Sequence, residues 1–88
     1  MTTRFAFFYL FKEGTAQAVE KAVPDHVSYW KELAPEYYRG GPFADRSGGM
    51  IVFSAGDPIE AARIAMGDPF VLEDLHEVRW IKEWVLKP

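Results

Sequence analysis

The sequence of 88 residues contains no cysteine. Disulfide bonds, cysteine-ligated zinc sites, thiol catalysis and thiol redox switching are therefore excluded. The absence of cysteine fits a reducing compartment, and we expect a cytoplasmic protein. Because so short a domain hides only about 60 to 65% of the surface of its unfolded chain, its stability is marginal unless it buries more. A homodimer is the simplest way to do so.

Basic runs and long apolar segments are also missing. Ten Lys and Arg stand against 13 Asp and Glu, so the net charge is -3 and nucleic acid is a poor electrostatic partner. The apolar run Phe5–Phe11 has seven residues, which is too short to span a bilayer. We therefore expect neither a nucleic acid nor a membrane among the partners.

Short motifs of the common cofactor and hydrolase sites are absent as well. The patterns GxGxxG, GxxxxGK[ST], HExxH and GxSxG do not occur, so dinucleotides, P-loop nucleotides, zincin metals and nucleophile-elbow hydrolysis have no local support. The glycine pairs at 40–41 and 48–49 precede predicted strands and not helices, which is typical of turns and not of phosphate cradles. We expect no cofactor and no metal site.

Aromatic residues are what the sequence has in excess. Seven Phe, four Tyr and three Trp make up 16% of the chain, which indicates a large interface or a lined pocket. Residues 4–11 predict a strand with Phe5, Phe7, Tyr9 and Phe11 on one face, and apolar residues on the other face too. We expect helices to cover one face of this strand and a second subunit to cover the other.

The rest of the chain predicts two helices and three further strands within a single domain, residues 1–88. Residues 13–23 are interpreted as a linker with some helical character, because the main helix is expected to begin at Pro24 and to end before Pro35. A second helix to Met66 is predicted from Asp57 as N-cap and a proline after it. The predicted strands cover residues 37–43, 50–55 and 77–86. This order is the βαββαβ arrangement of ferredoxin-like α+β folds.

Three titratable side chains are candidates for acid–base chemistry. His26 lies in the predicted apolar face of the main helix, with Val27 and Leu33, where the ring needs a hydrogen-bond partner or must stay neutral. Both a structural and a catalytic role remain open for it. Asp68 lies on a rigid Asp-Pro-Phe turn, which is either an ordinary turn or a place that holds a carboxylate against an imidazole. We expect His76 to be an exposed surface histidine and leave it out of the site.

Several short motifs follow one another along the chain. They are Pro-Asp-His at 24–26, Gly-Pro-Phe at 41–43, Gly-Met-Ile-Val-Phe at 49–53, Glu-Ala-Ala at 60–62, Asp-Pro-Phe at 68–70 and a closing strand at 78–86. In order and spacing this set resembles the YCII-related family over nearly the whole chain. It departs from the family in a longer segment before the main helix, at 15–23, and in an aromatic-rich first strand.

The resemblance implies a ferredoxin-like dimeric α/β barrel, in which the sheets of two subunits pack face to face and each protomer holds a pocket. It also implies a paired His and Asp, which here map onto His26 and Asp68. The turn at Gly41 and Pro42 would lie near this pair. Neighbouring barrel families catalyse varied reactions, so the fold limits the reaction class only loosely.

We therefore hypothesise a cofactor-independent enzyme that uses His26 and Asp68 for isomerisation or elimination on a small, largely apolar cyclic or aromatic molecule. The expected substrate-binding residues are Tyr9, Trp30, Gly41, Pro42, Phe43 and Phe70. The alternative is a non-catalytic binding or accessory dimer in which the pair is structural. A heme- or metal-dependent activity has less support, because the sequence shows no ligand cluster.

Overall fold

The computed structural model describes residues 3–87. These residues form one antiparallel sheet in the strand order β2-β3-β1-β4, with the helices packed on one of its faces. The elements are β1 (Thr3–Phe11), α1 (Ala16–Leu33), β2 (Arg39–Pro42), β3 (Gly48–Ala55), α2 (Pro58–Met66), α3 (Pro69–Leu72) and β4 (His76–Glu83). The predicted ferredoxin-like α+β fold is confirmed, with α3 as an addition.

The first helix begins at Ala16 and runs through Pro24, so the predicted linker at 13–23 and the predicted start at Pro24 are wrong. A proline inside a helix removes one backbone hydrogen bond and crowds the preceding turn. The segment before it is rich in alanine, a strong helix former, and Ala18 and Ala22 pack against the core. Packing of this segment on the sheet therefore outweighs the local cost of the proline.

The earlier start also changes which face of α1 is buried. Val27 and Leu33, predicted to face the core, are exposed. Ala22 and Trp30 are buried, and His26 lies half-buried between them in the sequence. Because these three residues are four apart, they form one row along the helix.

The aromatic strand β1 lies in the middle of the sheet and has two different faces. Phe5, Phe7 and Tyr9 are buried under the helices, together with residues of β3. On the opposite face, Phe8 pairs with Met50 of β3 and with Trp80 of β4, and the rings of Phe8 and Trp80 stack at 4.9 Å. Trp80 is still 37% exposed, so the described part of the chain leaves this outer face largely uncovered.

The remaining strands are close to the predicted ones. β2 is shorter than expected, β3 begins at Gly48, and β4 begins and ends earlier than the predicted range 77–86. Gly48 is required where it lies, because a Cβ there would collide with the backbone of Tyr9. Within residues 3–87, none of the helices combines the length and the apolar character needed to cross a membrane.

The predicted start of α2 is confirmed by its cap. The Asp57 side chain accepts a hydrogen bond from the Glu60 backbone N–H at 2.8 Å, and the Glu60 side chain accepts one from the Gly56 N–H at 2.7 Å. Two backbone donors that the helix cannot satisfy internally are paired in this way.

We predict that Asp57→Ala lowers the free energy of unfolding by about 0.5 to 2 kcal/mol, because the substitution removes this cap. Asp57→Asn keeps a side-chain acceptor and should lose much less. Urea melts of the three proteins measure the effect. Equal midpoints for the alanine variant and the wild type would show that the cap does not stabilise the helix.

Candidate functional site

Asp68 is a wholly buried carboxylate between α2 and α3. Its Oδ2 accepts hydrogen bonds from His26 Nδ1 and from Trp30 Nε1, both at 2.8 Å. Its Oδ1 accepts one from the Phe70 backbone N–H, also at 2.8 Å, and so caps α3. Three N–H donors directed at two oxygens suit an ionised carboxylate, which only accepts hydrogen bonds.

Two of these donors come from one face of α1. His26 and Trp30 are four residues apart, so their side chains point the same way from consecutive turns. A buried indole N–H needs an acceptor, and Asp68 supplies it. The spacing of His26 and Trp30 in the sequence is a signal that would have identified Trp30 as a hydrogen-bonding partner of the site in addition to an apolar lining residue.

The His26 ring is held by two contacts and remains partly exposed. One ring face stacks on Phe70, with centroids 4.2 Å apart and planes 16° from parallel. Nδ1 is taken by Asp68, and the side chain is 13% exposed. No residue in the range 3–87 is hydrogen-bonded to Nε2. With Nδ1–H donated to the carboxylate, Nε2 is the nitrogen left to meet another molecule.

The expectation for His76 is wrong, because this histidine is 4% exposed and lies in the core. Its ring stacks on Tyr9 at 4.6 Å and contacts the edges of Phe7 and Phe70. Neither ring nitrogen has a hydrogen-bond partner among the described residues. Burial lowers the pKa of His76 to about 4, although the charge of Asp68 acts in the opposite direction, so the ring is neutral at pH 7.

A β-bulge explains why the sequence pattern misplaces His76. Leu10 pairs with Val78, but the next residue of β1, Phe11, pairs with His76 and not with Glu77. One extra residue in β4 therefore turns His76 onto the inner face, the face of Phe11. Without the bulge, strict alternation from Val78 would place His76 on the outer face. The extra residue reverses the face of each side chain beyond it.

Three tyrosines lie within the electrostatic reach of Asp68. Burial, and to a smaller extent the nearby negative charge of Asp68, raises the pKa of Tyr9, Tyr29 and Tyr38 above the usual value. Tyr38 stacks on Trp30 at 5.7 Å, and Trp30 in turn donates to Asp68. All three phenols therefore stay protonated and can act as neutral hydrogen-bond donors, as Tyr29 does to the Ile64 carbonyl.

The structure brings only some of the predicted site residues together. Trp30 and Phe70 contact the pair directly, and Tyr9 packs on Phe70 at 6.0 Å. Phe43 instead packs on Phe8, on the outer side of the sheet. Gly41 and Pro42 lie exposed on β2, the edge strand. Their role in binding a substrate stays a prediction.

The structure is a small ferredoxin-like α+β domain in which a half-buried histidine of α1 is hydrogen-bonded to the buried aspartate that caps α3. The chain belongs to the YCII-related domain family, since the model of that family matches residues 3–85. The uncharacterized protein YjpA of Bacillus subtilis (strain 168) is 47% identical over 47 residues. That segment is 53% of this chain and 54% of the relative, so the match spans about half of each protein.

Solved structures share the fold at low sequence identity. The 5-chloro-2-hydroxyhydroquinone dehydrochlorinase TftG from Burkholderia phenoliruptrix AC1100, in complex with 2,5-dihydroxybenzoquinone, matches with a TM-score of 0.83 and 20% identity over 93% of each chain. The protein PA3566 from Pseudomonas aeruginosa matches with a TM-score of 0.65 and 15% identity, over 99% of this chain and 95% of that one. At these identities the likeness establishes the fold and not the reaction.

We predict that His76 makes the fold sensitive to mild acid. Its pKa is lowered in the folded state, so below about pH 6.5 the unfolded chain takes up a proton that the folded chain refuses. The free energy of unfolding should therefore fall by about 2 kcal/mol between pH 7 and pH 5 on this account. His76→Phe, which keeps a ring against Tyr9, should remove most of this dependence in urea melts. An equal pH dependence in both proteins would contradict the assignment.

Proposed function

We propose that this protein is a small enzyme that uses His26 as a general base and acid. Asp68 positions the His26 ring and stabilises its protonated form. The observation that supports the proposal is the 2.8 Å hydrogen bond between His26 Nδ1 and the wholly buried Asp68 carboxylate. In the neutral ring, this bond selects the tautomer in which Nε2 carries no proton. A second candidate is a binding protein in which the pair is structural.

The chemistry follows from the tautomer. Nε2 takes a proton from the substrate, and the buried carboxylate stabilises the imidazolium that forms, as positioned general bases do with typical gains of 10² to 10⁴ in rate. The proton then returns to a different atom of the substrate in an isomerisation. In an elimination, the electron pair of the broken C–H bond forms a double bond, the leaving group departs with its bonding pair, and the imidazolium releases its proton to water. Neither sequence requires a cofactor.

The surroundings of the pair favour a flat, largely apolar substrate. Phe70 covers one face of the His26 ring, and Tyr9 packs on Phe70. Apolar and aromatic walls with few polar groups are typical of small-molecule sites. The structural neighbour TftG, named as a dehydrochlorinase, holds a dihydroxybenzoquinone. By analogy of fold alone, we propose that the substrate of this chain is also a cyclic, oxygenated molecule.

The small exposure of His26 favours the second candidate, in which the pair only joins α1 to α3. At 13% exposure the side chain has little room for a substrate in a single subunit. A binding or accessory protein would need the same packing but no proton transfer. The two candidates differ in one measurable respect, since only a catalytic His26 changes the rate of proton exchange in a bound molecule.

We predict that Asp68→Asn changes the NMR signals of the His26 ring nitrogens. The substitution keeps the side-chain size but replaces the charged acceptor of Nδ1 by an amide, so the hydrogen bond to the ring becomes weaker. Asp45→Asn, in an exposed turn, is the matched control and should leave these signals unchanged. Identical His26 ring signals in the wild type and Asp68→Asn would show that the carboxylate does not hold the ring, and the mechanism would be abandoned.

Turnover is predicted to depend on the same two residues. Chlorinated hydroxyhydroquinones test elimination through chloride release, and cyclic ketones in D₂O test isomerisation chemistry through hydrogen exchange seen by NMR. His26→Ala and Asp68→Asn should lower any activity found by 10² to 10⁴-fold, while Asp45→Asn retains it. Exchange at the same rate in His26→Ala and the wild type would favour the structural candidate.

We further propose that the outer sheet face joins two copies of the chain. Phe8, Trp80 and Phe43 form an aromatic cluster there, and Val78 beside Trp80 is also exposed. A contiguous exposed apolar patch marks an interaction surface. A second copy can bury this patch by packing sheet on sheet, which adds the burial that a domain of this size needs.

Light scattering is expected to give a mass of about 20 kDa at micromolar concentration, twice the 10.1 kDa of one chain. Trp80→Glu places a charge in the aromatic cluster and should give a monomer. Ile59→Glu is the matched control, because Ile59 is an apolar residue that is 82% exposed on α2, and this variant should remain a dimer. A wild-type mass near 10 kDa over the micromolar range would rule the dimer out.

A further inference from the structure

Two side chains of α1 donate hydrogen bonds to the same oxygen of Asp68. Oδ2 lies 2.8 Å from His26 Nδ1 and 2.8 Å from Trp30 Nε1, while the Phe70 backbone N–H donates to Oδ1. A buried indole N–H is satisfied by an acceptor of any kind. Because Trp30 donates to the oxygen that His26 uses, the two donors share the electron density of one atom, and each weakens the bond of the other.

The Trp30 indole is held in place without the help of Asp68. Trp30 is 2% exposed, and its ring is packed among other aromatic rings on the inner side of the sheet. Phe53 lies at 5.3 Å, Tyr29 lies edge-on at 5.4 Å and Tyr38 stacks at 5.7 Å. Close packing of this kind leaves a ring little freedom to turn. The direction of the Nε1–H bond is therefore set by the core, and the indole orients the carboxylate.

The carboxylate is held at both of its oxygens. Phe70 N–H holds Oδ1 and Trp30 holds Oδ2, so rotation of the group would break two hydrogen bonds to a charged acceptor. With the carboxylate fixed in this way, Oδ2 faces His26 Nδ1 on the preceding turn of α1. Trp30 thus contributes to the geometry of the His–Asp pair.

The Trp30 N–H also affects where the protons of the pair reside. Once Nε2 of His26 has gained a proton, the Nδ1 proton can pass to Oδ2 of Asp68. This transfer leaves a neutral ring with its proton on Nε2, which is a much weaker acid for the return of that proton to the substrate. A hydrogen bond to an ionised carboxylate stabilises the ionised form, so the bond from Trp30 disfavours the transfer.

We propose that Trp30 is a positioning residue of the His–Asp pair. Its N–H keeps Asp68 ionised and Oδ2 directed at Nδ1, so that the His26 ring retains its Nδ1 proton while Nε2 gains and loses one. This role rests on the proposed function of His26. Because the Trp30 ring is buried, it acts through Asp68 and not on the substrate. A Trp30 that only fills space would need its ring and not its N–H.

The test changes the indole N–H and keeps the ring. Replacement of Trp30 by benzothienylalanine, introduced at an amber codon, puts sulfur in place of N–H, and replacement by 5-fluorotryptophan gives a more acidic N–H. Proton NMR follows the His26 Hδ1 signal, which is assigned by its loss in His26→Ala. A stronger hydrogen bond moves this signal to higher ppm. We expect a higher shift with benzothienylalanine, because His26 then has Oδ2 to itself, and a lower shift with 5-fluorotryptophan.

Replacement of Trp80 by benzothienylalanine is the matched control, because Trp80 stacks on Phe8 on the other face of the sheet. It should leave the His26 signal unchanged. Amide spectra report whether each protein is folded. The fluorinated ring keeps its N–H, so the shift with 5-fluorotryptophan decides alone if the sulfur analogue does not fold.

An unchanged Hδ1 shift with the analogues of Trp30, or a shift in the same direction with both, would show that Trp30 only fills space and would overturn the proposal. A higher shift with 5-fluorotryptophan would do the same. The measurement uses no substrate. Its failure is therefore distinguishable from failure of the proposed function, which is tested by turnover in His26→Ala.

Discussion

The burial of one carboxylate constrains most of this structure. An ionised group without water around it is costly unless several hydrogen bonds replace its solvation. Asp68 receives three, from the side chains of His26 and Trp30 and from the Phe70 backbone. The donors come from α1 and α3, so the carboxylate joins two helices that are distant in sequence. Removal of one partner from such a group costs far more stability than an exposed ion pair contributes. The contacts of His26, Trp30 and Phe70 with Asp68 therefore constrain how α1 and α3 pack.

The two faces of the sheet carry different groups of residues. The inner face holds the aromatic core, the His–Asp pair and His76, whose neutral ring fills space next to Tyr9. The outer face carries the aromatic cluster of Phe8, Phe43 and Trp80. A fold shared with proteins at 15 to 20% identity provides this division of faces, while the reaction depends on the residues placed on them.

Most of the fold could be predicted because its local signals agree with its tertiary structure. The cap at Asp57, the alternation in β1 and the stop before Pro35 depend on hydrogen bonds and sterics within a few residues. The start of α1 could not be predicted, because Pro24 is a local signal against a helix that packing on the sheet overrides. Likewise, the exposed Val27 was expected to be buried, since the burial of a helix face depends on where the helix begins and on what it packs against.

The candidate site divides in the same way. Sequence alone identified His26 and Asp68 as residues that need partners, through an imidazole in an apolar helix face and a carboxylate on a rigid turn. Only the tertiary structure determined that the two side chains are 2.8 Å apart, that Trp30 shares the same oxygen, and that His76 is buried. The reason is physical. A residue type and its spacing fix which chemical groups are present and how they recur along one element. The distance between elements is set by packing across the sheet, and a single β-bulge, between Leu10 and Phe11 in the pairing with β4, is enough to move a histidine from the surface to the core.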